Sequence, residues 1–426
     1  MASLASASDH LRPRSLGWRK RYWAATRTLY RLQQLARPEN RTLAQVVAMD
    51  IARFITGGIR PLHGQADRRA ASAVEWLLRA QRATPDEGVS YGYFPCGSDP
   101  PWGRSYPETT GYIITSLLQY ATAFGRADVR ARALTMADWE ISIQMPSGAV
   151  QGGAVQARDG QTPCAFNTGM VLDGWCTAYA QTKSEPYLEA AQRATNWLID
   201  DLDPHGYFRT NGEFVRRDEV KTYNVLCAWS MYRYGNLASD GRARDAAVHV
   251  TEGALRKQQR NGWFDCNCLS RPEAPLLHTI GYTLQGVLEV GALASRADFV
   301  DAARRGLDPV LANMSRNGFL PARYDRHWRP AARYCCLTGS AQVAVVCYRL
   351  AQLIGETRYR LAADRIVNFL KCFQLIESPD PGIQGALAGS FPMFAEYKPG
   401  GYPNWATKYL LDALMLQFES QTVRSA

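Results

Sequence analysis

The sequence predicts an all-α protein: a closed ring of about six helical hairpins, an (α/α)6 toroid, preceded by an N-terminal helical arm. Three observations lead there. A glycine followed by bulky apolar residues recurs at near-constant spacing. Each of these glycines follows an amphipathic helical pattern. Each is then succeeded by a second helical segment that is apolar or small nearly all round.

The glycines are Gly92, Gly148, Gly206, Gly262, Gly318 and Gly385, at successive separations of 56, 58, 56, 56 and 67 residues. The segments before them, Ala66–Gln81, Ala127–Gln144, Tyr187–Asp201, Arg242–Gln259, Ala297–Met314 and Arg358–Phe373, repeat apolar positions three and four apart and predict an outer ring. The segments beginning near Glu108, Asn167, Thr222, His278, Thr338 and Asn404 predict a buried inner ring. The glycine supplies a left-handed turn after each outer helix. Six inner N-termini then converge on one end of the ring, with unpaired N–H groups and partial positive charge. Chemistry is expected there. Residues 1–64 form the arm, with helices near Leu16–Ala36 and Leu43–Thr56, and residues 65–426 form the toroid, with no low-complexity linker between.

With 426 residues, 46% hydrophobic and 21% charged, the chain has the composition of a globular protein with a large core. Its net charge of +10 is uneven: Arg12, Arg14, Arg19, Lys20, Arg21, Arg27, Arg31 and Arg37 occur without an intervening acid, interleaved with Trp18, Tyr22, Trp23 and Tyr30. Such a helix packs its aromatics on the body, or docks on an anionic membrane surface or a protein partner. Nucleic acid is disfavoured, since no nucleic-acid module accompanies it. The first residues lack the apolar run of a signal peptide, and no run of about 18 apolar residues occurs. The expectation is a cytoplasmic protein, peripheral to the membrane if the arm docks there, with its ten cysteines reduced.

Asn, Thr and Ser at the inner-helix starts are ordinary N-caps. Glu108, Lys221, Tyr223, His278, Tyr282 and Lys408 exceed what capping requires. Glycoside hydrolysis needs two carboxyl groups flanking the bond, for which Glu108 and Asp265 are the candidates and Asp99, Asp325 and Glu396 the reserves. Elimination or epimerisation of a uronate needs a base and a stabiliser for the developing charge. His278, Tyr223 and Tyr282 are then the acids and bases. Lys221, Arg323, Arg333 and Lys408 are the cations, and Asn167, Asn224 and Gln342 the neutral donors. Tyr93, Trp102, Trp263 and Trp405 offer flat faces to a sugar, or equally to a terpene. Each charged candidate has an alternative reading as a structural ion pair. No cofactor is required by either chemistry. Cys266, Cys268, Cys335 and Cys336, near His278, are candidate Zn²⁺ ligands, against the alternative that they are small buried apolar residues.

The repeat, and starts such as Tyr106-Pro107-Glu108-Thr109-Thr110-Gly111-Tyr112, resemble six-hairpin glycosidases and related (α/α)6 polysaccharide lyases and uronyl epimerases, over roughly residues 66–418. The resemblance implies a carbohydrate-active enzyme working on a polysaccharide or its precursor, anionic by the basic charge of the chain. Terpenoid cyclases and prenyltransferase subunits share the toroid, as would a non-catalytic glycan-binding protein. Cys335-Cys336 and Glu108 also resemble elements of zinc–thiolate β-L-arabinofuranosidases, although Glu108-Thr109-Thr110 stands where that family has Glu-Thr-Cys. The Cys-His-Gly motif of lanthionine synthetase cyclases is absent. Ile199-Asp200-Asp201-Leu202-Asp203 resembles a cyclase acid run only superficially, lying at an outer-helix end.

Overall fold

A computed structural model describes residues 33–97, 99–157, 160–213 and 215–425. Most of the basic stretch, including the expected helix near Leu16–Ala36 up to residue 32, lies outside them. The arm helix α1 (Arg41–Thr56) starts two residues before the predicted Leu43 and ends at Gly57. Leu43 is fully buried and Asp50 nearly so. The Asp50 carboxylate accepts from the Met393 amide at 3.2 Å, and Arg53 donates to the Cys372 carbonyl at 3.1 Å. These bonds tie the arm to the last hairpin.

Twelve helices build the two rings. The outer ones are α2 (Ala66–Arg82), α4 (Ala127–Ile143), α6 (Glu185–Asp200), α8 (Gly241–Arg256), α10 (Ala297–Ala312) and α12 (Thr357–Leu370). The inner ones are α3 (Pro107–Phe124), α5 (Ala165–Thr182), α7 (Leu226–Leu237, entered through a 3-10 turn at Thr222–Val225), α9 (Leu277–Leu293), α11 (Leu337–Ile354) and α13 (Asn404–Ser425). Each inner helix packs on the next, and α13 closes on α3 and on α2. Every residue from Cys164 to Ala178 is buried, as is every residue from Tyr334 to Tyr348, as segments apolar or small on all sides require.

Five of the six recurrent glycines close the ring; Gly92 instead lies in the strand Gly92–Tyr93 with φ 157°, and the left-handed turn after α2 falls on Glu87, φ 70°. Gly148, Gly206, Gly262, Gly318 and Gly385 have φ between 77° and 94°. A Cβ there would strike the carbonyl of Arg193, His249, Arg305, Arg365 and Ser72 respectively, each on the outer helix of the following repeat. The last of these carries the pattern from the sixth hairpin back to the first. Outer helices are laced at the same seams: Gln144 Nε2 donates to the Ala190 carbonyl at 3.0 Å and Gln258 Nε2 to that of Ala302 at 2.8 Å. Two small antiparallel pairs seal the mouth. β1 (Gly92–Tyr93) joins β4 (Tyr402–Pro403), and β2 (Cys335–Cys336) joins β3 (Ser390–Phe391).

The capping expectation is corrected. No side chain caps α3, α5, the 3-10 turn before α7, or α9. The threonines instead reach back to the extended segment that precedes each inner helix. Thr110, Thr168 and Thr407 accept from the amides of Val89, Val150 and Leu387 at 2.9–3.0 Å. Asn167 and Asn404 donate to the carbonyls of Gln151 and Ser90 at 2.8 and 2.9 Å. The polar residues thus hold the loops in place and leave the inner-helix first turns, with their partial positive charge, at the mouth.

Gly262→Ala is expected to cost about 2 kcal/mol or more, because it combines positive φ with overlap against backbone that cannot yield. Gly125→Ala is the control: its φ of 66° is equally left-handed, but nothing lies within 4 Å of the added Cβ, so only the conformational cost of about 1 kcal/mol remains. Urea unfolding of the two variants measures the difference.

Candidate active site

At the N-terminal end of the inner ring lies a cavity of about 430 Å³. Its wall includes Tyr106, Glu108, Phe166, Tyr223, His278, Tyr282, Tyr397, Lys398 and Trp405, with Arg323 and Glu396 at the rim. The sequence-predicted Glu108, Asn167, Tyr223, His278, Tyr282, Trp405 and Cys268 all line it.

Glu108 sits in the first turn of α3, just inside Pro107 at its start. Its carboxyl accepts no hydrogen bond among the described residues. Burial pushes its pKa up from 4.5 to about 7, and the positive charge of Lys398 opposes the shift only in part. Lys398 comes from the loop between β3 and β4. Burial pulls its ammonium down, against the upward effect of Glu108. Its backbone is left-handed, with φ 49°, and its Nζ lies 4.9 Å from the centre of the Trp405 ring. Trp405 is oriented in turn by a 2.7 Å bond from its indole N–H to the Tyr397 hydroxyl.

His278 opens α9, beside Gly339 of α11, where a Cβ would lie 2.6 Å from the His278 amide nitrogen. That close approach brings Gln342 within reach: its Oε1 is 2.7 Å from His278 Nδ1. Burial depresses the imidazole pKa to about 4, so the ring is neutral near pH 7. With the amide oxygen facing Nδ1, that nitrogen carries the proton and Nε2 is left as the free base. Tyr282 lies against the ring at 4.4 Å between centroids, with Tyr397 and Tyr409 beyond. Burial drives the phenols of Tyr223, Tyr282 and Tyr397 upward, which keeps them neutral donors.

At the rim, Arg323 donates to Glu396 at 2.7 Å and to the Ala274 carbonyl at 2.7 Å, and Arg271 reaches Glu396 at 3.4 Å. Arg271 also pairs with Glu273 at 3.4 Å, whereas Lys398 makes no ion pair among the described residues and faces Glu108.

The remaining expected site residues lie elsewhere. Asp265 is off the cavity wall, and its carboxylate takes a hydrogen bond from the Gln259 side chain. Tyr93 and Trp102 pack on each other, and Tyr93 donates to Asp380 at 3.3 Å. Lys221 bonds the Cys268 carbonyl and Glu219, each at 2.8 Å. Asn224 donates to Asn211 at 2.9 Å. Trp263 packs edge-on against Trp328. Arg333 flanks the groove between α1 and residues 392–395. Gln342 holds His278 from behind instead of meeting a ligand. Lys408 pairs with Asp412 at 2.7 Å and lines the opposite end of the ring. Asp325 is spent in a turn, accepting from the amides of His327 and Arg329. Asp201 and Asp203 of the cyclase-like run likewise accept from amides of the turn that follows.

Cys336 begins α11, its sulfur accepting from the Gly339 amide, and Cys335 lies 3.2 Å from the Ser340 hydroxyl. Burial pushes the Cys335 thiol up to about 12 and raises that of Cys336 as well. The Cys268 sulfur accepts from the amides of Ser270 and Arg271. Cys266 stands next to it in left-handed backbone, φ 59°. Among the described residues no three His, Cys, Asp or Glu are grouped as a metal ion would require.

Lys398 and Tyr397 were missed from sequence. They lie beyond Gly385, outside the long final glycine step, in the loop between β3 and β4, and no sequence signal marked them.

No protein-family model and no curated protein sequence matches the chain. Solved structures do. An unsaturated glucuronyl hydrolase specific for heparin superposes with TM-score 0.67 at 16% identity, covering 84% of this chain and 98% of its own. A D-mannose isomerase gives 0.66 at 11%, covering 83% and 97%. A cellobiose 2-epimerase from Bacillus thermoamylovorans gives 0.64 at 8%, covering 80% and 95%. At these identities the likeness is one of fold. It establishes the (α/α)6 toroid that the repeat predicted.

Glu108→Gln should stabilise the protein above neutrality. A carboxyl whose folded pKa is about 7 and unfolded value 4.5 costs nothing below the lower figure, and its penalty is complete above the higher one. The variant is expected to gain about 1–3 kcal/mol at pH 8 and nothing at pH 4. Denaturant unfolding at the two pH values checks this.

Proposed function

We propose that the protein is a carbohydrate-active enzyme that acts on an anionic glycan by proton transfer at a uronate unit, with Glu108 as acid and His278 as base. The observation that carries this reading is the pairing, in one aromatic cavity, of a carboxyl whose pKa burial raises to about 7 with an imidazole held neutral.

His278 Nε2 removes the proton from the carbon next to the uronate carboxylate. Lys398 and Arg323 bind that carboxylate and steady the charge that spreads onto it. Glu108 delivers its proton either to the leaving oxygen, giving β-elimination, or to the opposite face of the carbon, giving epimerisation. Tyr223 and Tyr282 donate to ring hydroxyls or to the developing oxyanion. Trp405, Tyr106 and Phe166 offer stacking faces to the sugar. No step runs through a metal ion.

Two-carboxylate hydrolysis is less well served. The second carboxyl on the wall, Glu396, is neutralised between Arg323 and Arg271 and is not free to activate water. A terpenoid substrate would meet charged walls. The fold neighbours, a glucuronyl hydrolase, a mannose isomerase and a cellobiose epimerase, lend support to a sugar substrate.

Turnover of uronate-containing oligosaccharides is tested by two readouts, the absorbance of new unsaturated ends and uptake of solvent deuterium at the uronate carbon. kcat/KM should rise with pH through about 4, as His278 loses its proton, and fall through about 7, as Glu108 loses its own. Glu108→Gln should lower kcat by about 10²–10⁴-fold. Lys398→Met should raise KM for uronates while sparing neutral sugars. Activity that persists undiminished in Glu108→Gln, or a preference for neutral glycans, would refute the assignment.

A further inference from the structure

The ring has a second hollow. At the C-terminal end of the inner helices, opposite the candidate active site, is a cavity of about 620 Å³, within the range that holds small organic ligands. Tyr112 and Tyr409 form its floor. The Tyr409 ring lies 6.1 Å from that of Tyr282 and 6.5 Å from His278, both on the wall of the other cavity. One layer of aromatic rings therefore separates two back-to-back chambers.

The two chambers differ in charge. The front one holds Lys398, which makes no ion pair among the described residues, beside Arg323 paired with Glu396. In the rear one, Asp173 pairs with Arg233, Glu289 with Arg349 at 2.8 Å, and Asp412 with Lys408 at 2.7 Å. The three carboxylates inside the chamber are thus neutralised by neighbours, and the fourth, Glu419, is exposed and lies beside Arg349, so the interior offers a charged ligand no unpaired counter-ion. The remaining lining is largely apolar, contributed by Phe124, Met170, Leu226, Val345, Met415 and Phe418.

Three polar atoms on lining residues are left over among the described residues: the Tyr112 hydroxyl in the floor, and one each on Ser230 and Gln285. Ser230 is fully buried and Gln285 is 5% exposed. The Ser230 hydroxyl and the Gln285 side-chain oxygen line this cavity and have no hydrogen-bond partner among the described residues. They stand on adjacent inner helices, α7 and α9. A buried acceptor without a donor carries a desolvation cost that a donor on a ligand would relieve.

We propose that this rear cavity is a second binding site, for an uncharged amphiphile: a mainly apolar body ending in a hydroxyl or amide N–H that donates to Gln285 Oε1 and meets the Ser230 hydroxyl. The site is independent of the uronate chemistry at the front.

The test uses Nile red as a fluorescent reporter on the full chain, displaced by decanol or by its methyl ether, which has the same body but no donor. The wild-type protein should bind decanol about 5–10-fold more tightly than the ether, the worth of one hydrogen bond. Gln285→Leu should bring the ratio close to one, and the gentler Ser230→Ala should reduce it. Glu108→Gln, at the front, should leave it unchanged. No saturable displacement, equal affinities in the wild type, a ratio that survives both rear substitutions, or one that collapses in Glu108→Gln would each overturn the proposal.

Discussion

Everything in this molecule hangs on a backbone clearance. Five times around the ring, a chain leaving an outer helix must turn with positive φ directly against a carbonyl of the next outer helix. Only a residue without a Cβ fits both demands. The last contact, of Gly385 with Ser72, joins the two ends of the repeat, so the toroid is closed by the same contact that propagates it. Closure fixes where six inner helices begin, and hence which side chains share one mouth.

Within that mouth the electrostatics follow from enclosure. Among the described residues Glu108 has no hydrogen-bond donor to hold it ionised, and His278 has an amide oxygen behind it instead of a carboxylate. Burial pushes the acid up and the base down, so each is found in the form suited to donating and accepting a proton. The polar groups at the helix starts are mostly spent on the loops. This division of labour lets threonine and asparagine build the bowl while Glu108, His278 and Lys398 occupy it.

The architecture was legible because it is periodic: the glycine spacing and the all-round burial of every second helix are properties of the chain alone. Glu108, Tyr223, His278 and Tyr282 were legible for the same reason, as residues at inner-helix starts that exceed capping. What was not legible depends on where a side chain turns. Lys221 and Lys408 stand at helix starts exactly like Glu108, yet one bends to Glu219 and the Cys268 carbonyl and the other to Asp412. Asn167 lines the mouth but is already bonded to Gln151. Asp265 follows its glycine in register, but its loop carries it off the cavity wall. Lys398 arrives from the loop between Gly385 and α13, where nothing in the residue pattern marks which side chain turns into the mouth.

The central claim is that closing the ring raises the Glu108 carboxyl pKa to about 7, so that it still carries protons at neutral pH. Carbon-13 NMR of the labelled Glu108 carboxyl, followed across the pH range, measures this directly. The account predicts a midpoint near 7 that moves higher still when Lys398 is replaced by methionine. A midpoint at the ordinary value of 4.5, indifferent to Lys398, would contradict it.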